Sequence, residues 1–201
     1  MLSLDFPRMA EIVPEEQRGI ARIEHFKITE HEARFSRLRA AIGHSDEWVD
    51  EGRYAKLTVG GGLVMTDTDM ERNSNRAVVQ AARGQVLVAG LGLGMILHPI
   101  LAKTGVEHVT VIEKYQDVID IVTPTLPAEK LTIICADIFD WKPAKGERWD
   151  VIYFDVWADI STDALEDMSK LHRRFRSRLN PGGWMDSWKR RDLMCHKRRG
   201  W

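Results

Sequence analysis

The chain has 201 residues, 44% hydrophobic and 29% charged, with a net charge of −1; this suits one globular domain with a small N-terminal addition. No apolar run approaches the roughly 18 residues of a spanning helix, and the acidic N-terminus MLSLDFPRMAEIVPEE lacks the apolar stretch of a signal peptide, so a cytoplasmic protein without a membrane partner is expected. The two cysteines, Cys135 and Cys195, have neither CxxC nor Cys/His spacing, which argues against a disulfide framework or a zinc site.

The first fifteen residues show no clear period. Thr29-Glu30-His31-Glu32 has the form of a capping box, with Thr29 as N-cap and Glu32 reaching back. It predicts a helix to about Ile42, with Phe35, Leu38 and Ile42 on one face, closed by Gly43. Two β-prone runs, Tyr54 to Val59 and Leu63 to Thr66, enclose Gly60-Gly61-Gly62. That is a hairpin signal, because glycine takes the positive φ angles of a tight turn. A helical stretch from Asp69 to Ala82 follows, and Gly84 ends it.

From Gln85 strands and helices alternate. Strands are expected at Val86 to Ala89, His108 to Glu113, Leu131 to Cys135, Asp150 to Asp155 and Trp184 to Trp188. Helices are expected at Gly94 to Lys103, Val118 to Val122 and Ser161 to Arg178, with Ser161 as N-cap. Pro99 kinks the first of these unless that helix starts later. Asn180-Pro181-Gly182-Gly183 reads as a turn. The alternation predicts an α/β, Rossmann-like, doubly wound and mainly parallel sheet. Residues 1–83 would form a helix and β-hairpin region, and residues 84–201 a ligand-binding core with a basic C-terminal tail. From Lys170 onward there are 11 Lys/Arg against 2 Asp/Glu, whereas the first 169 residues carry 18 against 28. Such a tail can contact nucleic acid, but a solvated helix face with a frayed basic end is the favoured reading.

Gly90-Leu91-Gly92-Leu93-Gly94 directly follows the first core strand. A glycine backbone lets a ligand approach closely, and a following helix start offers unpaired N–H groups to an anion. The spacing is G-x-G-x-G rather than G-x-G-x-x-G, and a tight turn needed only for packing is the alternative. Glu113 ends the second strand, 19 residues beyond Gly94, where a carboxylate can accept hydrogen bonds from both hydroxyls of a ribose. The alternative is a solvent-exposed strand-end acid. Asp137, after the third strand, can accept from an adenine amino group, with Ile138 and Phe139 as apolar walls. Asp155 and Asp159, beyond the fourth strand, can orient or deprotonate an amine nucleophile, and Trp157 supplies an aromatic wall for a substrate. The alternative for Asp155 is a helix cap.

These strand ends resemble the class I S-adenosylmethionine-dependent methyltransferase superfamily. The stretch from Tyr54 to Asp159 resembles its spermidine-synthase branch, which has a β-hairpin before the core and lacks an acid at the position held here by Val88. The resemblance implies that Gly90, Gly92, Gly94, Glu113, Asp137 and Ile138 contact S-adenosylmethionine or its decarboxylated form, and that Asp155 faces the substrate. Two features depart from that branch. Leu93 stands where polyamine synthases resemble each other in an aspartate, and Asp155-Val-Trp-Ala-Asp159 replaces an Asp-Ser-Ser-Asp-type segment. The chain also ends soon after the fifth strand, so a shortened sheet edge is expected. No Asn/Asp-Pro-Pro-Tyr/Phe segment and no Pro-Cys pair is present, which disfavours methylation of nucleic-acid bases. The expectation is a methyl- or alkyl-transferase acting on a small molecule or amine, with a homodimer among the expected states. The runners-up are a non-catalytic binding or structural protein on the same scaffold and a polyamine aminopropyltransferase. Nucleic acid on the basic tail is a further, less favoured partner, and no metal site is expected.

Overall fold

The computed structural model describes residues 6–43, 48–158, 161 and 163–198. A turn of 3-10 helix, Met9–Glu11, leads into β1 (Glu16–Arg18) and β2 (Ala21–Ile28). With β3 (Gly52–Val59) and β4 (Gly62–Thr66) they form an antiparallel sheet in the order β1-β2-β3-β4. The sequence reading assigns nothing to β1 or β2, because only Ala21 and Ile23 of β2 alternate into full burial, too short a run to announce a strand. The β3–β4 turn is formed by Gly60 and Gly61, with φ of +59° and +83°, as a two-residue hairpin of the primed type requires.

Between β2 and β3 lies α1 (Glu30–Gly43). Its capping box is formed: the Thr29 N–H and hydroxyl each donate to the Glu32 carboxylate at 2.8 Å. Phe35, Leu38 and Ile42 share a face, but that face is open to solvent, at 54%, 55% and 73% exposure, and the buried residues of α1 are Ala33 and Ala40. Asp67, fully buried, accepts the N–H groups of Met9 and Ala55, both at 2.7 Å, and so staples the N-terminal turn to β3.

The stretch expected as one helix is two, α2 (Asp69–Ser74) and α3 (Arg76–Ala81), broken at Asn75 where ψ is 0°. The Asn75 side chain donates to the Glu71 carbonyl at 3.0 Å and accepts the Tyr153 hydroxyl at 2.9 Å. A buried polar side chain seeking partners thus sets the break.

The second sheet contains β5 (Gly84–Ala89), β6 (Val106–Glu113), β7 (Leu131–Cys135), β8 (Trp149–Phe154) and β9 (Leu179–Ser187). Its order is β7-β6-β5-β8-β9 and every neighbouring pair is parallel. Val86 to Ala89 of central β5 are fully buried, as a strand covered on both faces demands. The connections carry α4 (Leu97–Leu101), α5 (Gln116–Val122) and α6 (Ala164–Phe175), and α7 (Arg190–Arg198) follows β9.

Three boundaries differ from expectation for physical reasons. α4 begins at Leu97 rather than Gly94, which puts Pro99 in its first turn, where a missing N–H costs no helical bond. β9 begins at Leu179, and the Asn180–Gly183 turn survives as an irregularity inside it, since pairing jumps from Trp149–Leu179 to Val151–Trp184. α6 is shorter than expected: Ser161 Oγ accepts the Asp163 N–H at 3.2 Å in the turn ahead of it, and Arg176–Arg178 tightens into 3-10 helix.

One apolar cluster joins Ile23, Ala55 and Leu57 of the antiparallel sheet to Val86, Val88 and Ile100 around the parallel one, so the core runs across the 83/84 boundary. No helix among the described residues is long and apolar enough to cross a membrane. The chain leaves β5 for β6 on one side, while β8 lies on the other. The switch point of this doubly wound sheet therefore lies between the carboxyl ends of β5 and β8, where such sheets hold ligands.

Candidate functional site

A cavity of about 300 Å3 opens at that switch point. Its floor is made of strand ends and its roof of the β3–β4 hairpin, which contributes Leu57, Val64 and Met65. Of the site residues read from the sequence, Gly90, Gly92, Glu113, Asp137, Ile138, Asp155 and Trp157 all line it. Gly94 does not: a Cβ there would meet Leu126 Cδ2 at 2.9 Å and Val122 Cγ1 at 3.1 Å, so this glycine lets the loop close onto α5. Asp159 lies outside the described residues.

The glycine loop takes left-handed backbone at Gly90 (φ +99°) and Gly92 (φ +52°). A Cβ on Gly90 would lie 2.0 Å from the Asp155 carbonyl oxygen, and one on Gly92 would lie 2.2 Å from Met65 Sδ. Close approach of β5 to β8 dictates the first glycine, and the hairpin roof dictates the second. Met65 also receives the Leu93 N–H at 3.1 Å. Leu93 itself is fully buried in the core, so the side chain at the position where polyamine synthases resemble each other in an aspartate points away from the cavity here.

Glu113 is not the exposed acid that the alternative sequence reading allows. It is 7% exposed, and its two carboxylate oxygens accept the Leu91 N–H at 2.8 Å and the Tyr115 N–H at 2.9 Å. Each oxygen keeps a second lone pair, and the residue still lines the cavity. Asp137 accepts the Phe139 N–H at 2.9 Å and pairs with Lys114 at 3.1 Å. The amide first, then the ammonium, holds its carboxyl below the usual range. Ile138 is buried, whereas Phe139 is 38% exposed at the rim.

At the other end Asp155 follows β8. Its carboxyl accepts no hydrogen bond from a described residue, and its pKa is pushed up to about 8 by burial and then by Glu71. Glu71, on α2, is 8% exposed and lines the same cavity. Burial raises it to about 7, against the pull of Lys189 and the Thr66 N–H. Sequence reasoning missed Glu71 and Met65. Glu71 looks like any acid in the first turn of a helix, and no spacing links either residue to the glycine loop. Trp188, also in the lining, is expected from the sequence to end the fifth strand and lies just beyond β9; its indole N–H donates to Ser74 Oγ at 3.0 Å and its backbone N–H to the Phe154 carbonyl at 2.9 Å.

The basic tail is partly neutralised where it is described. Lys189 pairs with Asp192 and Arg191 with Asp186, both at 3.5 Å.

With this geometry in view, the chain is similar in fold to a protein of Streptococcus mutans assigned as a SAM-dependent methyltransferase. The two share 17% identity at a TM-score of 0.51, covering 82% of this chain and 41% of that one. The match to spermidine synthase from Thermotoga maritima has a TM-score of 0.49 at 17% identity over 63% of this chain and 45% of that one. The N-methyltransferase NodS from Bradyrhizobium japonicum gives 0.47 at 20% identity over 60% and 68%. The likeness to the Streptococcus protein is one of fold, a Rossmann-like parallel sheet with helices. The chain spans less than half the length of the Streptococcus and Thermotoga proteins. No protein-family model matches the sequence, and no curated protein matches it.

Proposed function

We propose that the chain binds S-adenosylmethionine, or its decarboxylated form, at the switch-point cavity and is a methyl- or related alkyl-transferase for a small molecule or amine. The observation that carries this reading is the division of the cavity. Glu113 and Asp137 stand at the ends of β6 and β7 on one side, and Asp155 stands beyond β8 on the other, with the glycine loop between.

The residues present fit such a ligand. Glu113, preset by two backbone amides, has lone pairs left for a ribose diol. Asp137 can accept from an adenine amino group, and Ile138 and Phe139 offer apolar faces for the base. Gly90 and Gly92 keep the loop low enough for close approach. When bound, the cofactor supplies an electrophilic carbon on sulfonium sulfur. Transfer from such a carbon needs chiefly proximity, in-line alignment and a neutral nucleophile. Asp155 can hold the nucleophile and take its proton at a carboxylate oxygen, while Trp157 and the hairpin roof limit access of water.

The spermidine-synthase likeness rests on the hairpin roof, and aminopropyl transfer is a second reading. Buried Leu93 weighs against it, because no loop carboxylate meets an aminopropyl ammonium in the cavity. The tail pairs at Lys189 and Arg191 favour the solvated-face reading of the basic C-terminus over nucleic-acid binding.

Calorimetry and thermal melting with S-adenosylmethionine and S-adenosylhomocysteine test the assignment. At a hundred times Kd a ligand specific to the folded state adds about 2.7 kcal/mol of stability, or a Tm rise of roughly 5–10 °C for a chain of this size. No heat and no shift at millimolar ligand, with the protein folded, would overturn it.

A further inference from the structure

Glu71 belongs to none of the strand ends from which the cofactor reading is built. It comes from α2, in the segment that joins the antiparallel sheet to the core, and this segment is fixed over the ends of β8 and β9. Trp188 Nε1 donates to Ser74 Oγ, and the Tyr153 hydroxyl donates to Asn75 Oδ1. The Glu71 carbonyl is itself held by the Asn75 N–H, the Asn75 side-chain amide and the Ser74 hydroxyl, at 3.2, 3.0 and 3.0 Å. The backbone that carries this acid is therefore pinned on both sides, and its carboxyl is delivered into the cavity lining together with Asp155.

We propose that Glu71 is a specificity residue of this site and that, with Asp155, it forms a two-carboxyl seat for the ammonium group of a cationic amine substrate. This rests on the transferase reading above.

The chemistry of the surroundings selects the cation. Glu71 is more than nine-tenths buried, and neither carboxyl has an ion-pair partner within salt-bridge distance among the residues described. Lys189 bears on Glu71 from the start of α7, but its ammonium lies 3.5 Å from Asp192. Tyr153, whose hydroxyl donates to Asn75, is neutral, with its ionisation suppressed by burial and by Asp155, Asp186 and Glu71. Two like charges in one cavity, Glu71 buried and Asp155 half-buried, oppose each other's ionisation, and a cation placed against both removes that penalty. A hydroxyl of the same shape cannot do so, and an anion is repelled. Trp157 and Trp188 in the same lining offer aromatic surface, which favours an ammonium further.

The pair also accounts for the proton that amine alkylation must lose. The bound ammonium R–NH3+ gives one proton to a carboxylate oxygen of the pair and becomes R–NH2. Its lone pair then forms the new N–C bond as the C–S bond of the donor breaks. The thioether leaves neutral, and the product leaves as R–NH2+–R′.

The test uses the full chain with n-hexylamine and n-hexanol as probes, matched in length and differing in charge, titrated with and without S-adenosylhomocysteine. The wild-type protein should bind hexylamine at least about tenfold more tightly than hexanol, the scale of one charge-assisted contact out of water. Glu71→Gln, close to isosteric, should reduce that preference to about threefold or less, and Glu71→Asp should restore part of it. S-adenosylhomocysteine affinity should be the same in all three proteins. A wild-type protein that does not prefer the amine overturns the proposal without recourse to any variant, and so does a folded Glu71→Gln protein that keeps the full preference. Failure to bind S-adenosylhomocysteine, with the amine preference intact, would instead remove the transferase reading and leave the cation seat standing.

Discussion

The Glu113 carboxylate at the end of β6 receives the Leu91 N–H of the glycine loop at 2.8 Å. With Tyr115 N–H on its other oxygen, this acid organises the site before any ligand arrives. Its removal should therefore be felt in the empty protein. Glu113→Ala leaves two amides without their acceptor and should cost about 2–4 kcal/mol of stability in urea unfolding. Glu113→Gln, which keeps one acceptor oxygen, should cost about half as much. Both should also weaken S-adenosylhomocysteine binding, by about 1–3 kcal/mol for the alanine variant. An alanine variant as stable as wild type would mean that the loop closes without the acid.

The parallel sheet and the positions of Glu113, Asp137 and Asp155 are legible in the sequence because β5, β6 and β8 are short apolar runs, each ending in a glycine or an acid. That punctuation depends on neighbouring residues only. Glu113's double amide contact is not legible, since it depends on how close the glycine loop folds back to β6. Glu71 and Met65 are invisible for the same reason: their place over the strand ends is fixed by Trp188–Ser74 and Tyr153–Asn75, pairs separated by 114 and 78 positions. α1 is the opposite case. Its capping box is local and forms, but the Phe35, Leu38, Ile42 periodicity marks the face that the fold leaves in solvent.

The two loop glycines should respond differently to alanine. Gly90→Ala drives a methyl against the Asp155 carbonyl, a backbone atom that cannot move aside, and should prevent folding or cost more than about 4 kcal/mol. Gly92→Ala meets only the flexible end of Met65. It should cost about 1–3 kcal/mol through its positive φ and the displaced sulfur, and Met65→Ala in the same chain should recover part of that loss. Equal unfolding free energies for the two glycine variants would contradict the geometry.

Leu93→Asp should not retune cofactor choice. The side chain is fully buried in the core, so the substitution puts a carboxylate among apolar groups instead of into the cavity. Destabilisation of several kcal/mol is expected, with no gain for decarboxylated over intact S-adenosylmethionine in thermal shift. A stable variant with reversed preference would show that this residue can turn outward.

Stability should fall as pH rises through neutrality on account of the acid pair. Asp155 and Glu71 are pushed up to about 8 and about 7, while in the unfolded chain such acids titrate near ~4. Between those limits the folded state holds protons that the unfolded state has released, so each step up in pH favours unfolding. The penalty is absent below about pH 4, grows up to about pH 8 and is constant above. Urea unfolding from about pH 5 to about pH 8.5 should show that decline, and Glu71→Gln or Asp155→Asn should flatten it. Parallel slopes in wild type and variants would mean that neither acid is strained by burial.

Asp155 is also where the proposed chemistry should fail first. Its carboxyl is free of hydrogen bonds from described residues and lies at the β8 end, across the glycine loop from Glu113 and Asp137. An acid at the edge of a binding cavity that receives no hydrogen bond from the described residues is placed to receive one from the substrate. Asparagine keeps the shape but neither holds a cation by charge nor takes a proton. Asp155→Asn should therefore bind S-adenosylhomocysteine within about threefold of wild type and yet lose about 10²–10⁴ in kcat/KM on an amine substrate. The residual rate should respond to pH differently. In the wild type the base must be unprotonated, so kcat/KM should rise with pH through about 8, the value to which burial and Glu71 push this acid. In Asp155→Asn that ascending limb should disappear, leaving only the titration of the amine itself. An active enzyme whose rate and pH profile are unchanged by Asp155→Asn would move the proton acceptor elsewhere in the cavity, with Glu71 the first candidate to examine.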